Sequence, residues 1–492
     1  MNNQKYVWAT MKNLRSLSVT TQTIRLLSLL LCITLIACNE TPDKPVKVWF
    51  TTEVMPADTS WFNGPKDFTH KLTQQSDVYF QKSDTLANTI VVDSSTTYQP
   101  FEGFGCSFEE TTVFNLSSMT AAKREELLQL IVSPDKGIGF NMMRICIGTS
   151  DFTSRKFYTY DDTPNNTEDT LLTYFSIQKD IDYNIIGVLQ DALKINPQLR
   201  FVASPWSPPA WMKTSKNIVG GNFISQYTDV YAAYLTKFLL AYKEKGIPVY
   251  ALTLQNESLY VPVDYPGCSL TSGQAQALAI ALSKELAKHN LETKILLYDH
   301  NYDGALNYAK PILSDSESNA AIYGTAIHGY SWAINEVKSI RNMFPSKAIF
   351  FTERTYWGAD GVSDIIDIFR NWSRTYIGWV TMLNSERGPE QWTHTPGHSM
   401  IIKDAKNHDN YWLTGEYYLQ GQISKFVKVG AYRIYSSLTD KSLNNVAFIN
   451  PDGTIVLIIS NTSMEDQMIR VKVGEAAFST SLPGKTVGTY LF

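Results

Sequence analysis

Val249-Tyr250-Ala251-Leu252-Thr253-Leu254-Gln255-Asn256-Glu257-Ser258-Leu259-Tyr260 sets a carboxylate beside an amide at the end of a short apolar run. The run follows Gly246-Ile247-Pro248 and closes in polar residues, the mark of a strand covered on both faces that delivers its last side chains to a rim. Strands of this kind belong to parallel sheets with helical crossovers. The fold therefore turns on how many of them the chain holds.

From Phe101 onward, apolar runs that end in polar or aromatic residues alternate with amphipathic stretches. Candidate strands are Phe101 to Gly105, Phe140 to Cys146, Arg200 to Trp206, the opening stretch, Lys294 to Tyr298, Ala321 to His328, Lys347 to Glu353 and Ile377 to Asn384. Between the third and fourth, Val230, Tyr231, Tyr234, Leu235, Phe238, Leu239 and Tyr242 share one face of a helix that Gly246 terminates. Eight strand and helix units predict an α/β fold, a (β/α)8 TIM barrel over residues 101–417. Flanking segments 46–100 and 418–492 lack helical period and read as strands, with a hairpin turn at Pro451-Asp452-Gly453. Neither has enough strands to close a core alone, so the two are expected to pair as one accessory β-sandwich.

The first 37 residues have a basic start, no acidic residue and the apolar run Leu26 to Ala37, a secretory signal too short to span a membrane. Leu35-Ile36-Ala37-Cys38 resembles the bacterial lipobox, which implies a lipid on Cys38, a membrane anchor through acyl chains, and residues 38–45 as a leash. The expected location is exported and membrane-anchored, on the periplasmic or surface face of an outer membrane. Cys106, Cys146 and Cys268 then remain, an odd number from which no disulfide framework follows; Cys106 and Cys146 read as small buried apolar residues, with a bond between those two the alternative.

Formal net charge is -4, and Lys5, Lys12, Arg15 and Arg25 fall in the signal, leaving the rest of the chain more acidic still. That balance argues against a nucleic-acid partner. The chain has no Cys/His cluster at metal-ligand spacing, and Gly103-Phe104-Gly105 lacks the third glycine of a dinucleotide site, so neither metal nor cofactor is expected. Aromatic residues make up 12% of the chain, a supply of flat surfaces that sugars can use.

Catalytic groups of such barrels sit at the C-terminal ends of strands. Here the fourth strand ends in Asn256-Glu257 and the seventh in Glu353. Two carboxylates across a barrel mouth suit glycoside hydrolysis, one protonating the leaving oxygen while the other attacks, and a separation of about 5–5.5 Å means retention.

Phe101 to Gly105, the run Ala203-Ser204-Pro205-Trp206-Ser207-Pro208-Pro209-Ala210-Trp211-Met212-Lys213, Gln255-Asn256-Glu257 and Phe351-Thr352-Glu353 together resemble glycoside hydrolase family 30, which holds glucosylceramidases and β-1,6-glucanases. The resemblance covers the barrel and both sandwich segments. It implies Glu257 as acid/base and Glu353 as nucleophile, with Arg144, Asp151, Trp206, Asn256, Asp299, His328, Tyr330 and Trp379 holding the sugar. Arg144 would keep Glu353 ionised, while the Glu353 charge and partial burial would raise the pKa of Glu257. Trp211 and Trp357 are read as packing residues and left outside the site. Two departures stand out: Ser258 replaces a proline common in relatives, implying a looser loop, and Met382 lies near where a second tryptophan is usual, implying a missing aromatic contact. The expected substrate is a carbohydrate or glycoconjugate, a β-linked glucoside of β-1,6-glucan or glucosylceramide type. Rival readings are a fucoside, galactoside or xyloside substrate, or a glycan-binding lipoprotein on an inactive barrel.

Overall fold

A computed structural model of the protein describes residues 45–54, 59–82, 89–391 and 397–492. The signal segment 1–37, Cys38 and the leash up to residue 44 lie outside the described residues.

Eight parallel strands form the barrel: Gly103–Gly105, Met142–Ile147, Arg200–Pro205, Val249–Thr253, Lys294–Asn301, Ile322–His328, Ala348–Glu353 and Ser373–Ile377. The ring closes between the first two, where Arg144 donates its backbone N–H to Cys106 and Asn141 donates to Phe104. Inside, Met142, Val202, Ala251, Leu296, Ala326, Phe350 and Ile377 pack as one apolar layer, a filled core rather than a pore. Outside, the alternate residues Met143, Phe201, Leu252, Ile295, Ile327 and Phe351 join the core under the helices. The helix Thr228–Glu244 buries Tyr231, Tyr234, Leu235, Phe238, Leu239 and Tyr242 as its period requires. Gly246 follows it at φ +76°, a conformation that disfavours a Cβ.

The eighth strand lies upstream of its expected place at Ile377 to Asn384. Ser373, Thr375, Tyr376 and Ile377 are the buried residues of the true strand, whereas Met382–Asn384 leaves the barrel and pairs with Ile401–Lys403. Ser373, Arg374 and Thr375 make the true strand polar, so the more apolar stretch after it was the more conspicuous. The boundary expected after 417 falls inside the helix Gly415–Ser424, which packs against the barrel before the strands resume at Tyr432.

The segments before and after the barrel share one 11-stranded sheet. Pro45–Thr52 pairs antiparallel with Thr486–Leu491, and Thr89–Pro100 lies between Tyr432–Ser436 and Gln467–Val473. Val48, Ile90, Val92, Ile434, Leu457, Ile459, Val471 and Tyr490 fill its core. Beyond the expected strands, Ala476–Leu482 and Thr486–Leu491 complete it. Pro451-Asp452-Gly453 does form the turn between Leu443–Ile449 and Ile455–Asn461, with Gly453 at φ +84°.

Aromatic packing and a helix cap are among the contacts that tie this sheet to the barrel. Phe448 meets Phe101 and Phe369 at ring-centroid distances of 5.7 and 5.5 Å. Glu53, just past the first strand, accepts the backbone N–H of Ala359 at 2.9 Å, capping the helix Gly358–Arg370 that follows the seventh barrel strand. Gly358 sits at φ +70°, and a Cβ there would lie 2.6 Å from the Glu53 carboxyl carbon. Cys106, Cys146 and Cys268 are free thiols. Among the described residues, no helix is long and apolar enough to cross a membrane.

The aromatic seam gives a direct check. Phe448→Ala empties a buried site and is expected to cost about 3–5 kcal/mol, read as a lower urea midpoint, whereas Tyr435→Ala on the exposed face should shift stability by no more than about 0.5 kcal/mol.

Candidate active site

The layer above the barrel's apolar floor is polar, and strand periodicity dictates its membership. Two residues beyond Met142, Val202, Ala251, Ala326 and Phe350 come Arg144, Ser204, Thr253, His328 and Thr352, each returned to the interior by the pleat. The fifth strand breaks the count. From Leu296 the inward position would be Tyr298, but the strand carries an extra residue between Tyr298 and His300, with Tyr298 and Asp299 at φ +77° and +49°. That bulge turns Asp299 inward in its place.

Asp299 and Arg144 are the centre of this layer. One Asp299 oxygen accepts from Arg144, Ser204 and Thr253 at 2.8, 2.6 and 2.8 Å, and the other from Thr352 at 2.6 Å and His328 Nε2 at 3.1 Å. Arg144 also donates to Glu353, to Asn256 Oδ1 at 2.8 Å and to Ser204 at 3.2 Å. Burial opposes the charge on Asp299, but Arg144, His328 and the hydroxyls outweigh it and hold its pKa well below the usual carboxylate range. His328 is likewise penalised by burial, yet Glu353 and Asp299 raise it to about 10, so its ring is an imidazolium.

Arg144, Asp299 and His328, expected at the sugar, are therefore wholly buried beneath the pocket. Most of their polar atoms are taken by the carboxylates, by one another and by Ser204 and Asn256, while Arg144 Nε and His328 Nδ1 make no hydrogen bond among the described residues. The pocket above them, about 660 Å³, is lined by Asp151, Trp206, Asn256, Glu257, Tyr330, Glu353 and Trp379 among others. Trp206 stacks on Trp379 with centroids 5.1 Å apart and planes at 24°, and the Arg144 guanidinium lies 4.7 Å from the Trp206 ring. Arginine only donates, so Asn256 must turn Oδ1 toward Arg144, and its amide N–H groups are left for a ligand. Asp151 Oδ1 is buried at the wall with no partner, and burial, Glu353 and Glu257 push its pKa well up.

Glu257 lies just past the fourth strand, which ends at Thr253. Its backbone donates to Asp299 at 2.7 Å, Asn256 donates to Pro205 at 2.8 Å, and Glu257 adopts φ +49°. Left-handed backbone at a non-glycine residue is held by such over-determined surroundings and collects at functional sites. One oxygen each of Glu257 and Glu353, with a nitrogen of His328, fall within 4.8 Å of one another. His328 Nδ1 is 3.5 Å from Glu257 and 3.6 Å from Glu353. The same three groups have the spacing of a metal site, at which a metal ion would have to displace the proton on His328 Nδ1.

The expected rise in the Glu257 pKa is not found. Burial does push it up, but the His300 and His328 rings outweigh this and bring it down to about 2. The neighbouring imidazoles, rather than the Glu353 charge, dominate its surroundings.

His300 was missed in the sequence because it adjoins Asp299 and alternation would turn it away; the bulge brings its Nδ1 to 3.6 Å from Glu257. Trp357 lines the pocket with Gly397 and His398, contrary to its reading as packing, whereas Trp211 is buried and donates to Asp161 at 2.8 Å. Its place four residues beyond Glu353, in a loop at a strand's C-terminal end, was the available signal. Ser258 does not loosen its loop: its hydroxyl donates to the Tyr298 carbonyl at 2.9 Å. Nor does Met382 leave a gap, since it is buried away from the pocket and Trp379, Val380 and Leu383 form that wall.

The glycosyl hydrolase family 30 TIM-barrel model matches residues 101–427, and the family's β-sandwich model matches 430–490. The lysosomal acid glucosylceramidase of Mus musculus is 28% identical over 426 residues, covering 80% of this chain and 81% of that protein. An endo-1,6-β-D-glucanase of Aspergillus fumigatus is 28% identical over 441 residues, covering 83% and 88%. A solved endo-β1,6-glucanase superposes with a TM-score of 0.80 at 28% identity, covering 91% of this chain and 99% of that one. With both of its domains matched in order along the chain, the protein belongs to glycosyl hydrolase family 30 and is a glycoside hydrolase.

Proposed function

We propose that the protein hydrolyses β-linked glucosides, of β-1,6-glucan or glucosylceramide type, with retention, using Glu353 as nucleophile and Glu257 as acid/base. The observation that carries this reading is the approach of the two carboxylates, with oxygens within 4.8 Å, at the ends of the fourth and seventh strands. Glu353, ion-paired to Arg144, attacks the anomeric carbon and forms a glycosyl ester while Glu257 gives its proton to the departing oxygen. Glu257, now a carboxylate, takes a proton from water as that water attacks the same carbon and frees Glu353. Asn256 donates to the 2-hydroxyl, and Trp206 and Trp379 offer the faces against which the ring lies.

The charge on Glu257 is set by its neighbours: the His300 and His328 rings hold its pKa down against burial, and His328 Nδ1 lies 3.5 Å from its carboxylate. Export with a lipid on Cys38 completes the proposal, and it places the enzyme at a membrane beside extracellular glycans.

Azide rescue of aryl β-glucoside cleavage tests the roles. Glu353→Gly should yield the α-glycosyl azide, and Glu257→Ala, slowed about 10²–10⁴-fold on substrates with poor leaving groups, the β-glycosyl azide. Variants as active as the wild type would overturn the assignment. His328→Gln tests that coupling. Without the imidazolium beside it the Glu257 pKa should rise, so the basic limb of the kcat/KM profile should move to higher pH. An unmoved limb would overturn it. Labelled palmitate should enter the wild-type protein in a lipoprotein-processing host and be absent from Cys38→Ala.

A further inference from the structure

The end of the barrel opposite the pocket, its base, carries a charge that the overall composition hides. The chain is acidic, at a formal net charge of -4, yet cations gather where the barrel strands begin. Arg200 and Lys294 are the first residues of the third and fifth strands, Arg374 is the second of the eighth, and Lys347 immediately precedes the seventh. Helix C-termini attract cations through their dipoles, which accounts for Lys243 and Lys288 in the last turns of Thr228–Glu244 and Ser272–Lys288. Strands have only small dipoles, so these four need another reason.

Little carboxylate charge balances them. Glu102, buried among them, meets Arg374 at 2.8 Å and Lys294 at 3.6 Å and also accepts from the Tyr250 and Tyr323 hydroxyls. The other cations rest on neutral oxygens, which satisfy donors without cancelling charge. Arg200 donates to the Glu102 carbonyl at 3.1 Å, Lys347 to the carbonyls of Asn319 and Ile322 at 2.5 and 2.8 Å, and Lys425 to those of Asp135 and Gly137 at 3.3 and 2.8 Å. Burial and then the charge of Lys428 lower the Lys425 pKa, as expected of crowded cations. Beside Arg200 a groove of about 510 Å³ is lined by Lys425, Lys428, Asn141, Asn196 and Gln198, with no carboxylate among its described lining residues. Lys136 and Lys428, on the loops that bound it, are exposed. Asp135, Glu244, Glu292 and Glu317 are exposed at this end too, but Glu317 is already paired with Lys284 at 3.0 Å.

These cations are spread around the barrel axis, on the third, fifth, seventh and eighth strands and on two loops, while the pocket opens at the other end. Such a spread matches a flat anionic surface better than one small ion. The chain also enters from this side. Past the strand Pro45–Thr52, Glu53 meets Ala359 toward the mouth, whereas Trp49 packs on Phe426, two residues before Lys428, with centroids 4.7 Å apart. From Cys38 to Pro45 the chain can span at most about 25 Å, so a lipid at Cys38 would keep a bilayer within reach of the base.

We propose that the base of the barrel, through Lys136, Arg200, Lys294, Lys347, Arg374 and Lys428, docks on an anionic phospholipid surface and turns the pocket away from it. This rests on the reading of Cys38 as lipidated and goes beyond it: the lipid attaches the protein, and the base orients it.

Vesicles of phosphatidylcholine, with and without phosphatidylglycerol, test the docking. Full-length Cys38→Ala protein should co-sediment with the vesicles that contain phosphatidylglycerol, and 1 M NaCl, where the Debye length falls to about 3 Å, should release it. Adding Lys136→Glu and Lys428→Glu, both at exposed positions, should weaken that binding at least about tenfold. Residues 1–37 are common to these forms, so the change between them reads the base alone. Lys136→Gln and Lys428→Gln serve if the reversals fold poorly. On the vesicles, Lys136 and Lys428 should be shielded from an amine-acetylating reagent while Lys156, exposed in the loop after the second strand, stays reactive. Binding unmoved by the reversals, or shielding of Lys156 in their place, would overturn the docking. Capture by soluble polygalacturonate with none by vesicles would overturn it as well. No palmitate at Cys38 together with intact binding to phosphatidylglycerol would count against the anchor and leave the docking standing.

Discussion

A guanidinium with no exposed surface is the constraint on which the site rests. Arg144 cannot shed its proton, and in the barrel interior its charge must be met by oxygens on several strands at once. Asp299 and Glu353 supply the charge, Asn256 and Ser204 the remaining acceptors. Everything above inherits its position from that arrangement. Asn256 presents its amide to the pocket because its carbonyl is taken, and Glu353 is held with one oxygen paired and the other near His328. Removing Asp299 or Glu353 leaves charge uncompensated and removing Asn256 or Ser204 leaves a donor unpaired, which makes the cluster hard to alter piecemeal.

The layer also explains how an acid can rest ionised. A carboxylate alone in such surroundings would be neutral, since burial disfavours its charge. Two imidazoles reverse this for Glu257: the pleat of the sixth strand supplies His328, and a single extra residue in the fifth strand lets Asp299 and His300 serve the site together. Asp299 keeps His328 charged from below, and His300 flanks Glu257 from the side.

Much of this was legible in the chain. Apolar runs ending in Glu257 and Glu353 marked two strand ends, and the alternation of such runs with amphipathic stretches gave the barrel. Depth was not legible. Arg144, Asp299 and His328 look like rim residues in sequence, and only the register between strands shows that they lie one layer below Asn256 and Trp206. The bulge at Tyr298–His300 left no trace, because no glycine or proline marks it. The eighth strand was displaced for a similar reason: Ser373–Ile377 carries Arg374 and polar neighbours, since its outward end meets Glu102 and Tyr323 at the barrel's floor instead of a helix. Trp357 could not be separated from a packing tryptophan until its neighbours in space, Gly397 and His398, were known.

The cap that Glu53 places on the helix after the seventh strand has a consequence for how the protein is made. Pro45–Thr52, which sets the position of Glu53, pairs over Lys47–Thr52 with Thr486–Leu491. A nascent chain can therefore assemble all eight barrel strands before the Glu53 contact to the turn at Trp357 and Gly358 is secured, because the strand that leads to Glu53 pairs with residues far downstream of the barrel. Shaping of the pocket wall is thus a late event in biogenesis, and the barrel's chemistry is coupled to completion of the sheet beside it.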